Sequence, residues 1–175
     1  MMADILWDLV AIRDYVGIFI TWLFVIAFLY NLSASINSPY KNTMYLSGIM
    51  MISYTLSTLF DMVIVSHLNY FYFDIVTLII IFTFRYCSRG PIPNAFYYLV
   101  FGLSINASLF LAMHYDIEIL GTLYYWWFWN VYVFGMYFTD LIMPLALIFN
   151  KDFLGLVALK RYLLNRRKSN HQKVE

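Results

Sequence analysis

Long apolar stretches separated by short polar segments run along almost the whole chain. Five of them stand out, at residues 15–32, 42–66, 71–86, 94–113 and 123–149. Because about 20 apolar helical residues cross the ~30 Å hydrocarbon core of a bilayer, these lengths are typical of transmembrane helices. The pattern therefore predicts an all-α fold, a polytopic integral membrane helical bundle with five transmembrane helices.

Polar and turn-forming residues mark where these helices begin and end. Asn37-Ser38-Pro39 follows the first stretch, and Gly90 and Pro91 lie between the third and the fourth. Glycine suits a helix C-terminus and proline suits a first helical turn. Residues 1–14 alternate acidic and apolar positions, which predicts an amphipathic segment at the outer face. Residues 151–175 form a basic tail, so the chain reads as one membrane domain with two short extensions.

Lysine and arginine fall almost entirely on one side of the predicted bundle. Arg13 lies on one side, and the other ten of the 11 basic residues lie opposite it, in alternate loops and the tail. These ten are Lys41, Arg85, Arg89, Lys151, Lys160, Arg161, Arg166, Arg167, Lys168 and Lys173. Because Lys and Arg resist translocation, the bias predicts an N-terminus outside and a cytoplasmic C-terminus. This orientation depends on the span count, since one non-spanning stretch would break the alternation.

The composition excludes an ordinary soluble domain. Hydrophobic residues make up 63% of the chain and charged residues 12%, about half the charged fraction of soluble proteins. The single cysteine, Cys87, excludes an intramolecular disulfide and a multi-cysteine metal site. We expect an integral multi-pass protein of a bacterial inner membrane or another cell membrane, with no cofactor, no metal, no catalytic residues and no nucleic-acid contact.

Two aspartates lie in the second and third stretches on either side of a short turn. Asp61 and Asp74 are nearly equidistant from that turn, and His67 lies at the turn itself. Because carboxylates inside a membrane are costly, Asp61, Asp74 and His67 are candidates for an ion or proton site. The alternative is that each aspartate lies near a helix end and reaches interfacial water or nearby hydroxyls.

Asp140 lies deep inside the fifth stretch. Pro144 follows four residues later and leaves the Asp140 carbonyl without its usual helical donor. A carboxylate beside a broken helical bond is a candidate ion-coordinating or gating point. The alternative is a buried aspartate that hydrogen-bonds to Asn106, Asn130 or Tyr137.

Two predicted helices carry small or polar residues at helical spacing. On the second helix Ser47, Tyr54, Thr58 and Asp61 share a narrow arc. On the fourth, Ser104, Ser108 and Ala112 recur every four residues. The first arc either lines a watery path or joins helices through hydroxyl groups, and the second favours close helix packing within or between copies.

The tail carries a cluster of basic residues after an apolar segment. Lys160, Arg161, Arg166, Arg167 and Lys168 are its members. They are candidates for binding anionic lipid headgroups or an acidic cytoplasmic protein, and the alternative is topological anchoring alone.

Together these features predict a non-enzymatic membrane protein, because no HExxH, GxSxG, P-loop or CxxC motif occurs. The leading hypothesis is a homo-oligomeric sensor or anchor subunit that couples the membrane to a cytoplasmic partner through the basic tail. The alternative is a cation or proton channel or transport subunit that uses the intramembrane aspartates.

Overall fold

Helices make up nearly all of the chain that the structure describes. The computed structural model describes residues 13–58, 66–88, 90–122, 124, 126–150, 152, 155 and 158. Its helices are α1 (Arg13–Ser35), α2 (Asn42–Ser57), α3 (His67–Cys87), α4 (Asn94–His114) and α5 (Trp127–Phe149). A π-helical turn, Tyr115–Ile119, continues α4. No strand occurs in these residues, which confirms the predicted all-helical fold.

Four helical segments are long and apolar enough to cross a membrane. They are Tyr15–Ser35, His67–Cys87, Asn94–Ile119 and Trp127–Phe149, and they support a membrane-embedded protein. The described part of α2 has 16 residues, or ~24 Å at the helical rise. The predicted second span continues into residues 59–65, which lie outside the described residues. The second span, the total of five spans and the orientation therefore stay predictions. Residues 1–12 and 159–175 also lie outside them.

The helical backbone extends beyond the predicted spans in three places, at α1, at α3 and at the end of α4. The third predicted span begins at residue 71, whereas α3 begins at His67 because Ser66 caps it, its Oγ accepting a hydrogen bond from the Leu68 N–H at 3.3 Å. The fourth predicted span ends at residue 113, whereas the helical backbone continues through the π-helical turn. These extensions contain polar residues, so the pattern of apolar residues does not show that they are helical.

The helices form a closed ring in chain order. Each packs against the next, α1 closes the ring against α5, and α2 also contacts α4 and α5. We call the end that holds Lys41 and Arg85 the basic end, and the opposite end, with His67 and Glu118, the histidine end. Short connections make successive helices antiparallel.

Apolar side chains fill the half of the ring toward the basic end. Ile20, Phe24, Ala27, Leu46, Met50, Leu78, Ile81, Ala95, Phe96, Leu99, Leu103, Met143 and Leu147 are its buried members. A smaller cluster of Tyr70, Phe110 and Met136 lies toward the histidine end. On α5 these clusters leave a gap between Met136 and Met143, and Asp140 lies in it.

Asparagine side chains close the helix ends at the basic end. Asn31 donates to the carbonyl of Leu147 at 3.0 Å and so joins α1 to the last turn of α5. Asn150 ends α5 in a left-handed conformation, with φ of 47°, and its Oδ1 accepts from the Ala95 N–H at 3.2 Å. These bonds satisfy backbone groups that helix ends leave open.

Candidate intramembrane carboxylate site

Three helices bring polar side chains together at Asp140. The Tyr54 hydroxyl on α2 donates to Asp140 Oδ1 at 2.5 Å, and Asn106 Nδ2 on α4 donates to the same oxygen at 2.7 Å. Asn106 is buried and Asp140 is half-buried. Hydrogen bonds to an ionised acceptor are about twice as strong as neutral ones, so these donors stabilise a carboxylate inside the bundle.

Asn106 is held in place by its neighbour on α5. Its Oδ1 accepts a hydrogen bond from the Thr139 hydroxyl, which also lies 2.9 Å from the Gly135 carbonyl and 3.0 Å from the Met136 carbonyl. The amide is therefore used at both ends, with its oxygen toward Thr139 and its nitrogen toward Asp140. This fixes which side of Asn106 faces the carboxylate.

Asp74 on α3 belongs to the same region. Its carboxylate interacts electrostatically with Asp140 and with Tyr54. One of its oxygens, Oδ2, is buried and has no hydrogen-bond partner within the described residues. One helical turn further along α3, the Thr77 hydroxyl lies 2.8 Å from the Ser53 hydroxyl of α2. In the described residues, Asp140 Oδ1 thus accepts two hydrogen bonds, whereas Asp74 Oδ2 accepts none.

All four residues lie at similar distances from the basic ends of their helices. Counted along the helix axes, these distances are ~13–20 Å for Tyr54, Asn106, Asp140 and Asp74. In a hydrocarbon core of ~30 Å, that distance corresponds to the middle of the bilayer.

The two carboxylates have no basic partner among the described residues. Lys41 and the Arg85 side chain lie at the basic end, more than two helical turns from the site. Asp140 acts electrostatically on Asp74, and two ionised carboxylates that interact in a medium of low dielectric constant repel each other. The arrangement can hold a proton or a cation as the balancing charge.

His67 lies apart from this pair. It begins α3 at the histidine end, ~10 Å along the helix from Asp74, and its ring meets Tyr132 edge-on at 5.9 Å. Nearby, Glu118 Oε1 accepts from the Ser66 hydroxyl at 2.5 Å and lies 3.2 Å from His114 Nδ1. The structure therefore places His67 in a separate polar cluster at the bundle end.

A second carboxylate at that end is held by indole groups. Asp116 is buried, and its Oδ2 accepts hydrogen bonds from Trp126 Nε1 at 3.1 Å and from Trp129 Nε1 at 3.0 Å. Trp126 is the extended residue that precedes α5, and Trp129 lies in the first turn of that helix. Sequence reasoning missed this contact, for which the only signal was the tryptophan spacing.

Some of the site residues predicted from the sequence lie among the residues that the structure describes, and others do not. Asp74 and Asp140 come together, and the Asn106 contact that we considered for Asp140 is present alongside the Tyr54 contact. Asp61 lies outside the described residues, so its pairing with Asp74 stays a prediction. The tail residues Lys160, Arg161, Arg166, Arg167 and Lys168 also lie outside them.

No protein-family model matches the chain, and no curated protein or solved structure shows significant similarity to it. What the protein does is therefore inferred from the chemistry of the carboxylate site.

Proposed function

We propose that this protein is a non-enzymatic membrane subunit that moves protons or cations through a site centred on Asp140 and Asp74. The observation that carries the proposal is the convergence of Tyr54, Asn106, Asp140 and Asp74 from four helices near the predicted bilayer middle. Ionisable residues at that depth are costly and mark ion or proton pathways. A purely structural link would need only one carboxylate with its donors.

The proposal includes the five-span topology with the C-terminus in the cytoplasm. In that orientation the apolar cluster toward the basic end separates the site from the cytoplasm, while the histidine end faces outside. The polar cluster of His67, His114 and Glu118 would then lie between the outer solution and the carboxylates.

Flux measurements in liposomes test this function. Full-length protein is reconstituted in two sets of liposomes, one with a pH-sensitive dye inside and one with a sodium-sensitive dye inside. A potassium diffusion potential, negative inside, is then imposed with sodium or only an impermeant cation outside. We expect a response from the wild type and, for Asp140→Asn, a loss of at least about tenfold, because the central charge is removed.

Asp152→Asn is the matched control. Asp152 is also a carboxylate with a hydroxyl donor, since the Tyr98 hydroxyl lies 2.8 Å from its Oδ1, but it lies at the basic end. It should keep wild-type flux. A wild type that is silent in every arm contradicts the transport proposal.

The second candidate function is coupling to a cytoplasmic partner through the tail. Asp152 supports it, because Tyr98 on α4 and the Ala158 N–H both donate to this carboxylate, which ties the chain after α5 to the bundle. A basic tail that begins from a fixed point suits an acidic protein or anionic lipid headgroups. Pulldowns with the full chain and with a chain that ends at Asn150 test it, and identical partner sets would contradict it.

Assembly into a homo-oligomer is part of both candidates. Ser104 and Ser108 on α4 are exposed, and each hydroxyl donates to the carbonyl four residues earlier, so this face is small and self-satisfied. Such faces allow close approach of another helix. Ser108→Leu should lower the molecular mass that light scattering measures in detergent, and an unchanged mass would contradict an interface at this face.

A further inference from the structure

The groups around Asp140 present hydrogen atoms to its carboxylate. Tyr54 and Asn106 both donate to Oδ1, and the oxygen of Asn106 already accepts from Thr139. These neighbours stabilise a carboxylate anion and offer few free lone pairs to a metal ion. To coordinate a metal ion here, the Asn106 amide would have to rotate, and its two hydrogen bonds, to Asp140 and from Thr139, would be lost.

The nearby hydroxyl groups are also committed to each other. The hydroxyl oxygens of Ser53 and Thr77 lie 2.8 Å apart, and the Thr77 hydroxyl donates to the Phe73 carbonyl at 2.9 Å. Calcium takes six to eight oxygen ligands and magnesium near-octahedral coordination. In the described part of the chain, no group of three or more His, Cys, Asp or Glu side chains could hold a metal ion.

Asp74 differs from Asp140 in its surroundings. Its Oδ2 is buried without a partner in the described residues, whereas Asp140 Oδ1 has two donors. Within the described residues, Asp140 on α5 and Tyr54 on α2 are the titratable groups that interact electrostatically with Asp74. Burying an ionised oxygen without a partner is far more costly than burying a neutral carboxyl group.

We propose that the site binds a proton rather than a metal cation, and that Asp74 carries it while Asp140 keeps the negative charge. The inference rests on the proposed function, because it concerns the same two carboxylates. Binding breaks one O–H bond of a hydronium ion in the surrounding water, forms one O–H bond on Asp74 and leaves a water molecule. The charge of the pair changes from two negative charges to one.

Infrared spectroscopy of the purified full-length protein in lipid nanodiscs tests the inference. A protonated carboxyl group has a C=O stretch that shifts when H2O is replaced by D2O. At neutral pH we expect this band in the wild type and in the control Asp152→Asn, and its loss in Asp74→Asn. Asp74→Glu should move the band without removing it, which separates loss of the group from misfolding.

The outcomes distinguish the inference from the proposed function. A band that Asp74→Asn removes and that sodium, potassium, magnesium and calcium leave unchanged supports a proton on Asp74, even if liposomes show no flux. The band without any flux would contradict the transport proposal but not the proton on Asp74. Absence of the band, its loss only in Asp140→Asn, or a carboxylate stretch that shifts when one of these cations is added would overturn the inference.

Discussion

The Tyr54 hydroxyl donates to Asp140 Oδ1 across 86 positions of the chain, with 2.5 Å between the two oxygens. The ring of Tyr54 also lies against that of Phe24, with 4.1 Å between ring centroids. One side chain of α2 therefore contacts both α1 and α5. Because the ring packs among apolar groups while the hydroxyl reaches a carboxylate, Tyr54 fixes the rotation of α2 in the bundle.

Tyr54→Phe should lower the free energy of unfolding by about 1–2 kcal/mol, because the ring stays and only the interhelical hydrogen bond is lost. Chemical unfolding in lipid–detergent micelles measures the change. Tyr45→Phe is the control, since Tyr45 is exposed and its ring contacts Phe84. Equal stability of Tyr54→Phe and Tyr45→Phe would show that the hydroxyl contributes nothing to α2 packing.

Gly102→Ala should weaken the packing of α4 against α5. A Cβ atom at Gly102 would lie 2.6 Å from Met143 Sδ and 2.7 Å from Met143 Cγ, in a fully buried part of the interface. Such overpacking costs about 1–3 kcal/mol. The thermal midpoint in detergent should fall.

Gly17→Ala is the matched control for this change, because nothing lies within 4 Å of a Cβ atom at Gly17. Alanine is the better helix former by about 0.5–1 kcal/mol, so the α1 variant should keep or raise the midpoint. If Gly102→Ala also raised it, the close α4–α5 contact would be wrong.

Asn31→Ala should weaken the contact between α1 and α5. It removes the donor to the Leu147 carbonyl and leaves that buried group without this bond, at a cost of about 1 kcal/mol. The exposed Asn37 supplies the control variant Asn37→Ala. Hydrogen exchange in the last turn of α5 should increase for the first variant only, and unchanged exchange in both would argue against the link.

Trp129→Phe should loosen the π-helical turn. The phenyl ring keeps most of the apolar surface but cannot donate to Asp116 Oδ2, which then depends on Trp126. We expect faster hydrogen exchange over Tyr115–Ile119. Trp22→Phe, at an exposed position of α1, should leave this turn unchanged. Faster exchange in both variants would indicate a general loss of stability instead.

The sequence pattern predicted the helices well because each apolar stretch is a local property of the chain. It also identified Asp74 and Asp140 as unusual, since a carboxylate inside an apolar stretch is visible without a structure. The sequence pattern did not predict that Asp74 and Asp140 belong to the same site. Asp61 and Asp74 lie on spans that are neighbours in the chain, so their pairing could be considered from the sequence. The electrostatic interaction of Asp74 on α3 with Asp140 on α5 depends on how the helices close into a ring.

The role of Tyr54 was similarly hidden. Its place on a polar arc of α2 was predictable, but its partner on α5 depends on how α2 is rotated against α1 and α4. The start of α3 at His67 was missed for a different reason. A polar cap at Ser66 extends the helix beyond the apolar stretch that marks it.

A double-mutant cycle between Asp74 and Asp140 tests most directly that these residues form one site. Unfolding free energies are measured in lipid–detergent micelles for the wild type, Asp74→Asn, Asp140→Asn and the double variant, with Asp152→Asn replacing Asp74→Asn in a control cycle. We expect the Asp74 and Asp140 changes to be non-additive by about 0.5–3 kcal/mol, because one carboxylate alters the charge that the other must bear. The control cycle should be additive. Additivity within about 0.3–0.5 kcal/mol in both cycles would contradict a shared carboxylate site.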